Sequence, residues 1–403
     1  MVKTKKVPIG WELTPLSKVL VERTERKGKT DVEIYSVAVN KGIVNQVEHL
    51  GRSYAAEDTS NYNLVSFGDI VYTKSPTGDF PYGIVKQSHV KQDVAVSPLY
   101  GVYKPGYFYL GLFLDYYFQS HFNANNYLKK IVNKGAKNTI LVSNQGFLHN
   151  CILLPNDPLE QQEIVEILMT QDKIIALKEK LLEAKKKQKK WLMQNLLTGK
   201  IRLAGFNEEW TSFKLGDNCE VVTGATPSTE NKLYWGGSIL WMSSGELNKK
   251  IIYSVDGRIT SDGFKAASLK TLPLKCVLIG LAGQGKTRGT VAINYIELCT
   301  NQSVAAVLPS KTFVPEFLYY NLDSRYEELR MLSSSGDGTR GGLNIPLIKS
   351  INVIAPTYEE QLKIAERLTA ADKEIELLTK DIESQKSLKQ YLMQQLLTGK
   401  IRV

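Results

Sequence analysis

From Ile364 the apolar positions fall at Leu368, Ala371, Ile375, Leu378 and Ile382 and resume at Leu392 and Leu396, alternating steps of four and three. That spacing keeps a narrow stripe on one face of a helix, which is the pattern of a coiled-coil seam. A looser stripe runs through Ile164, Leu168, Ile175, Leu182, Leu192 and Leu196. Gln171 and Lys178 interrupt it, and Ile167, Ile174 and Leu181 widen it on one side, which predicts contact with more than one helix. Both segments are expected to be long helices. Leu-Leu-Thr precedes Gly199 and Gly399 at their ends, and glycine takes the left-handed conformation that closes a helix. Pro158 and Pro356 stand before Glu-rich first turns, where negative charge suits a helix N-terminus. About 39 residues at about 1.5 Å each make a rod of roughly 58 Å, longer than one globular domain needs.

The two helical segments are copies of each other. Leu192 to Leu203 recurs as Leu392 to Val403, 200 residues later, and upstream Glu160, Gln161, Asp172, Lys173, Ile175 and Leu177 recur without a gap as Glu360, Gln361, Asp372, Lys373, Ile375 and Leu377. A solenoid repeats every 20 to 50 residues or so, so this longer period marks two whole domains under approximate symmetry. The chain divides into a globular block over 1–157, a spacer helix and tail over 158–203, a second block over 204–356, and a second helix and tail over 357–403. Each block has the usual size of a domain and reads as mixed α/β. Strand-like runs include Ser66 to Tyr72 and Lys275 to Gly280, each followed by a Gly- or Pro-containing loop. Trp11 to Leu16 echoes Trp210 to Leu215, and Tyr107 to Leu114 echoes Phe317 to Leu322. The expected fold class is α+β: two globular α/β domains joined by two long antiparallel coiled-coil helices, with a pseudo-twofold internal repeat.

At 43% hydrophobic residues, the chain is too apolar to be disordered. The aromatic stretch Tyr107 to Phe118 is too short to span a bilayer and contains Asp115, so it reads as a buried helix. The basic N-terminus lacks a following apolar core, so no secretory signal is expected and the location is taken as cytoplasmic. Cys151, Cys219, Cys276 and Cys299 form no CxxC pair, and all four histidines lie in the first half, so no metal site is expected. The net charge of +10 permits a nucleic-acid partner. The excess sits in the first half: 18 basic against 13 acidic residues over 1–157 and 10 against 6 over 158–203, but 15 against 14 over 204–356.

The paired Leu-Leu-Thr-Gly-Lys-Ile-Arg tails resemble the specificity subunit of a type I restriction-modification system. So do the helix starts at Glu160-Gln161 with Ile164 and Glu360-Gln361 with Ile364, and the segment from Thr223-Gly224-Ala225-Thr226-Pro227-Ser228 to Tyr234-Trp235-Gly236-Gly237. The likeness covers nearly the whole chain, although the first block lacks the Thr-Pro-Ser to Tyr-Trp-Gly-Gly opening. It implies a non-catalytic subunit whose two target recognition domains, 1–157 and 204–356, each read half of a bipartite sequence in double-stranded DNA. The helices, through Ile164, Leu168, Ile175, Leu182, Leu192, Leu196, Ile364, Leu368, Ile375, Ile382, Leu392 and Leu396, would act as scaffold and partner-binding surface for two adenine methyltransferase subunits. Restriction subunits would join the full complex. S-adenosylmethionine, ATP and magnesium are expected on those partners, with no cofactor on this chain. Recognition modules about one DNA turn apart, roughly 34 to 36 Å, can read one face of a duplex, so a rigid spacer would fix the gap.

Gly280 to Thr287 fits the phosphate-binding pattern GxxxxGK[ST]. That motif should open a helix, whereas Arg288 to Ile293 reads as a strand. A hairpin loop facing DNA is the preferred reading, with Gln284, Lys286, Thr287 and Arg288 reaching bases or phosphates and an ordinary solvated loop as the alternative. Lys74, Ser75 and Thr77 occupy the corresponding loop of the first block. A second polar loop, Ser333 to Gly342, offers Arg340 for guanine or phosphate; its first-block counterpart, Gly135 to Asn138, offers Lys137 and Asn138. The run of Lys185, Lys186, Lys187, Lys189 and Lys190 is a solvated face, a DNA contact or a match for an acidic partner. No adenine-methylation motif occurs, and Asp157, Glu183 and Lys185 mimic a nuclease pattern only by chance. Two other readings stay open: an adaptor for a fused nuclease-methyltransferase, and a coiled-coil scaffold without sequence-specific DNA binding.

Overall fold

The computed structural model describes residues 7–52, 55–134, 140–283, 287–332 and 342–403. It forms two compact units, Met1–Glu179 with Asp381–Val403, and Lys180–Lys380. The repeated segments are helices, Pro158–Leu196 and Tyr358–Leu396, related by the same 200-residue offset as the sequence. Gly199 and Gly399 follow them with φ of +67° and +64°, the left-handed closure expected from the tails. Each unit thus holds one globular block, half of the first long helix and half of the second.

In the first unit, Trp11–Pro15 pairs antiparallel with Cys151–Pro155, closing the block where the long helix begins. Beside that pair, a four-stranded antiparallel sheet runs in the order Leu20–Glu22, Gly101–Pro105, Ile70–Tyr72, Val85–Gln87. Side chains alternate along a strand. Ile70 and Tyr72 therefore join the main core while Val71 joins a smaller one with Val65, Val94 and Val96, so this short strand is apolar throughout. The strand starts later than the pattern predicts. Asp69 accepts a bond from the Ser66 backbone N–H at 2.8 Å, and Gly68 takes a φ of +90°, so the preceding residues turn. Helix Phe108–Gln119 is buried as expected, and Asp115 is neutralised inside it by Lys86 at 3.2 Å.

In the second unit, Thr211–Lys214 pairs antiparallel with Asn352–Ala355 in the same register, plus 200, as the first unit's closing strands. A five-stranded sheet follows the order Val221–Thr223, Val304–Val307, Val277–Gly280, Val291–Asn294, Ile251–Ile252, and only the last pairing is parallel. A three-stranded sheet places Trp235–Met242 between Arg258–Ile259 and Cys299–Thr300. Val277 and Ile279 enter one core and Leu278 another, so this strand too is buried on both faces. The fold is α+β, as the sequence predicts. Among the described residues no helix is long and apolar enough to cross a membrane.

The helix stripes require a correction. Ile164 and Leu168 pack into the first block's core, where Leu396 from the second helix joins them. Ile364 and Leu368 pack into the second block's core, where Leu196 joins them. The stripes therefore bind each block to the helices, and these side chains are buried within the chain rather than left for a partner. Between those ends the stripe is mixed: Ile175 and Ile382 are buried, while Leu182, Leu192, Ile375 and Leu392 are half-buried. Gln171 does not break the seam but is buried in it, donating to Gln385 Oε1 at 2.8 Å. Lys178 pairs with Asp381.

Candidate nucleic-acid interface and helix anchors

The two loops nominated in each block meet at their roots. In the second unit, strands Val277–Gly280 and Val291–Asn294 pair antiparallel as the arms of a hairpin, and among the described residues between them there is turn and no helix. The phosphate-loop pattern there lacks its structural context. Leu343, just past the second loop, donates its backbone N–H to the Leu281 carbonyl at 2.9 Å, fastening the two loops together. Thr287 and Arg288 lie half-buried in the turn that returns the hairpin. Next to them Gly289, with φ of +77°, packs so closely on Arg330 that an added Cβ would meet its Cγ at 3.1 Å. Arg330 lies over the Tyr326 ring, 5.5 Å from its centroid, and donates to its hydroxyl at 2.7 Å. Gln284, Lys286 and Arg340 lie outside the described residues.

In the first unit, Ser75 and Thr77 are exposed at the tip of the loop between Ile70–Tyr72 and Val85–Gln87. Lys74 turns inward instead. It has a φ of +55°, its ammonium donates to Asn144 Oδ1, and burial lowers its pKa. Asn144 opens the short helix that follows the second loop, so Lys74 ties the loops together as the Leu281 to Leu343 bond does in the other unit. Lys137 and Asn138 lie outside the described residues.

Each block is also anchored to the long helices by a duplicated set of polar contacts. In the first unit the buried Glu160 accepts from the Trp11 indole at 3.1 Å and pairs with Arg402. In the second the buried Glu360 pairs with Arg202 at 2.7 Å, and the Arg202 guanidinium lies 5.8 Å from the centre of the Trp210 ring. Trp11 meets Phe113 edge-on at 6.3 Å, and Trp210 meets Phe317 at 6.2 Å. Further along, the Tyr116 hydroxyl donates to Asp172 at 2.8 Å and the Tyr320 hydroxyl to Asp372 at 2.7 Å. Lys389 pairs with Asp172 at 2.6 Å, and Lys189 pairs with Asp372. These contacts match Phe113 with Phe317 and Tyr116 with Tyr320, which corrects the alignment of Tyr107 to Leu114 on Phe317 to Leu322.

The lysine run is partly absorbed in the same way. Lys185 reaches Glu374 at 2.8 Å, Lys189 takes part in the anchor just described, and Lys186 pairs with Glu183 on its own helix. Lys187 and Lys190 are exposed.

Residues 207–385 match the family model described as the type I restriction modification DNA specificity domain. The type I restriction enzyme MjaIX specificity subunit of Methanocaldococcus jannaschii is 34% identical over 172 residues, covering 42% of this chain and 39% of that protein. The EcoR124I/EcoR124II specificity subunit of Escherichia coli is 26% identical over 236 residues, covering 57% of this chain and 56% of that one. Over its second half the chain is similar to type I restriction-modification specificity subunits.

Both of these relatives are named as specificity subunits of type I restriction enzymes. The solved HsdS subunit of Thermoanaerobacter tengcongensis shares the fold over 99% of both chains, with a TM-score of 0.54 and 16% identity. The S subunit from M. genitalium does so over 98% of this chain and 97% of that one, with a TM-score of 0.57 and 13% identity. Against the two curated relatives, the chain aligns with about half of their length or less.

The second block's segment from Thr226-Pro227-Ser228 to Tyr234-Trp235-Gly236-Gly237 has a clear packing basis. The Trp235 and Trp241 indoles meet edge-on at 5.0 Å and donate to the Ser228 and Ala225 carbonyls, at 3.1 and 3.0 Å, pinning the Thr-Pro-Ser loop. Gly237 passes the Ile259 carbonyl so closely that an added Cβ would sit 2.4 Å from its oxygen. The sequence flagged these motif residues but missed the anchors. The available signal was the 200-residue offset: Glu160 and Glu360, Asp172 and Asp372, Lys189 and Lys389, and Arg202 and Arg402 are identical pairs.

Proposed function

We propose that this chain is the non-catalytic DNA-recognition subunit of a type I restriction-modification complex, each block reading one half of a bipartite target in double-stranded DNA. The observation that carries the reading is the contrast between duplicated anchors and unlike blocks: the attachment recurs at a 200-residue offset, while the sheets it carries differ. Ser75, Thr77, Thr287 and Arg288, with the loops holding Lys137, Asn138, Gln284, Lys286 and Arg340, contact bases and phosphates. Lys74 positions its loop from inside.

Two adenine methyltransferase subunits dock on faces of the long helices left free by the cores, where Leu177, Trp191, Leu377 and Tyr391 are each about half exposed. Restriction subunits join through them. S-adenosylmethionine, ATP and magnesium act on those partners in the cytoplasm, in host defence. Coexpression with the cognate methyltransferase, followed by genome-wide mapping of methylated adenines, tests this reading. A two-part motif with a fixed gap and two methyltransferase chains per copy are expected. A single bifunctional nuclease partner would instead identify an adaptor, and methylation without sequence preference would leave only a scaffold.

A further inference from the structure

Each block touches the long helices at two separated polar points, and the second is a three-way node. In the first unit, Tyr116 from helix Phe108–Gln119, Asp172 from the first long helix and Lys389 from the second meet together. Lys389 also lies 5.3 Å from the centre of the Tyr116 ring and donates to Gln119 at 3.1 Å. In the second unit, Tyr320 from helix Pro315–Ser324 meets Asp372 and Lys189, with the Lys189 ammonium 5.5 Å from the ring centre. Asp172 and Asp372 each lie twelve residues beyond the glutamate of their clamp, about 18 Å along the helix at about 1.5 Å per residue.

A rigid body held at one point can pivot, while a second fixed point removes that tilt. The clamp at Glu160 or Glu360 is one point. The node is the other, and the same block helix reaches both, because Phe113 and Tyr116, or Phe317 and Tyr320, lie three residues apart on one face.

We propose that the tyrosine-aspartate-lysine nodes are positioning devices: each sets the angle at which its block leaves the helix pair, and thereby the gap allowed between the two DNA half-sites. The inference rests on the functional reading above and assigns it residues remote from DNA. Base preference stays with the loops. Gap length, by contrast, depends on where each whole block sits on its helices. A charge-assisted hydrogen bond holds that setting more firmly than apolar contact does, because its geometry is directional.

The test uses the full chain assembled with its methyltransferase and a library of DNA targets carrying the cognate half-sites at varied gap lengths. Tyr320→Phe, Lys189→Met and Tyr116→Phe should raise methylation at gaps one base pair off by about tenfold relative to the cognate gap, the scale expected for one lost charge-assisted bond. Base preference in both halves should be unchanged. Lys189→Arg should keep the wild-type profile, as should Lys185→Met, which removes a cross-helix pair that touches no block. An unchanged gap profile in the three node variants would overturn the proposal, as would an altered base preference with the gap intact. Absence of any gapped motif with the wild-type complex would instead defeat the functional reading itself.

Discussion

The two units attach their blocks with the same parts and build those blocks differently. Closing strands in the same register, a buried glutamate paired with an arginine, an edge-on tryptophan-phenylalanine contact and a tyrosine-aspartate-lysine node occur in both. The first block is organised on a four-stranded antiparallel sheet. The second uses a five-stranded sheet with one parallel edge and a further three-stranded sheet pinned by Trp235 and Trp241. The attachment residues must satisfy several partners at once, on the block and on both helices. A loop side chain such as Ser75 or Thr77 faces solvent and has no such constraint. Change can therefore accumulate in the blocks without loosening their mounting.

The strongest test of this comparison is the hydrophobic joint. Leu168 and Leu368 are both fully buried at equivalent positions, each in its own block's core. Leu168→Ala and Leu368→Ala should each cost about 2–5 kcal/mol in chemical denaturation. If one were nearly neutral, the joints would not be equivalent.

A finer test sits at the helix ends. Alanine at Gly199 or Gly399 should cost about 1–2 kcal/mol, because both positions are left-handed. The cost should be larger at Gly399, where the added Cβ would come 2.8 Å from Pro8 and 3.1 Å from Trp11, against 3.4 Å from Trp210 at Gly199. Equal melting temperatures for the two variants would show that the tails are packed alike after all.

Alkaline pH should separate the blocks. Burial pushes the Cys276 thiol up to about 12 from an ordinary 9.0, so its contribution is complete below pH 9 and is lost as pH rises toward 12. At pH 10 the loss is on the order of 1 kcal/mol. Cys219 and Cys299, also buried in the second unit, shift in the same direction, whereas Cys151 in the first is half-buried. Hydrogen exchange at pH 7 and 10 should show the second unit losing protection first, and native alkylation should mark Cys151 before the others.

The smallest effect concerns the exposed cross-helix pairs. Lys185→Ala and Lys386→Ala each remove one such pair, to Glu374 and Glu179, and should cost about 0.2–1 kcal/mol by thermal melting in low salt. A larger loss at either site would mean that the helix pair itself, rather than its ends, carries that unit's stability.

Periodicity located both long helices, and the glycines marked where they end, because helix geometry and left-handed closure are local properties. The 200-residue copy likewise exposed the duplication. The block strands were less legible: residues 66–72 look uniformly strand-like, but a turn held by Asp69 takes the first part of the run. For the candidate interface, the loops could be nominated from composition, but the inward turn of Lys74 depended on Asn144, seventy residues away.

The sequence by itself determined the α+β class, the repeat, the helices and the hairpin nature of the phosphate-loop mimic, since each follows from local patterning or from self-similarity. Only the tertiary structure decided that the helix stripes serve chiefly to bind the blocks, and that Gln171 and Lys178 complete the seam. It also decided that part of the lysine run is spent on internal pairs. Those outcomes depend on partners distant in sequence, and a side chain's partner is set by the packing of several segments that no local window contains.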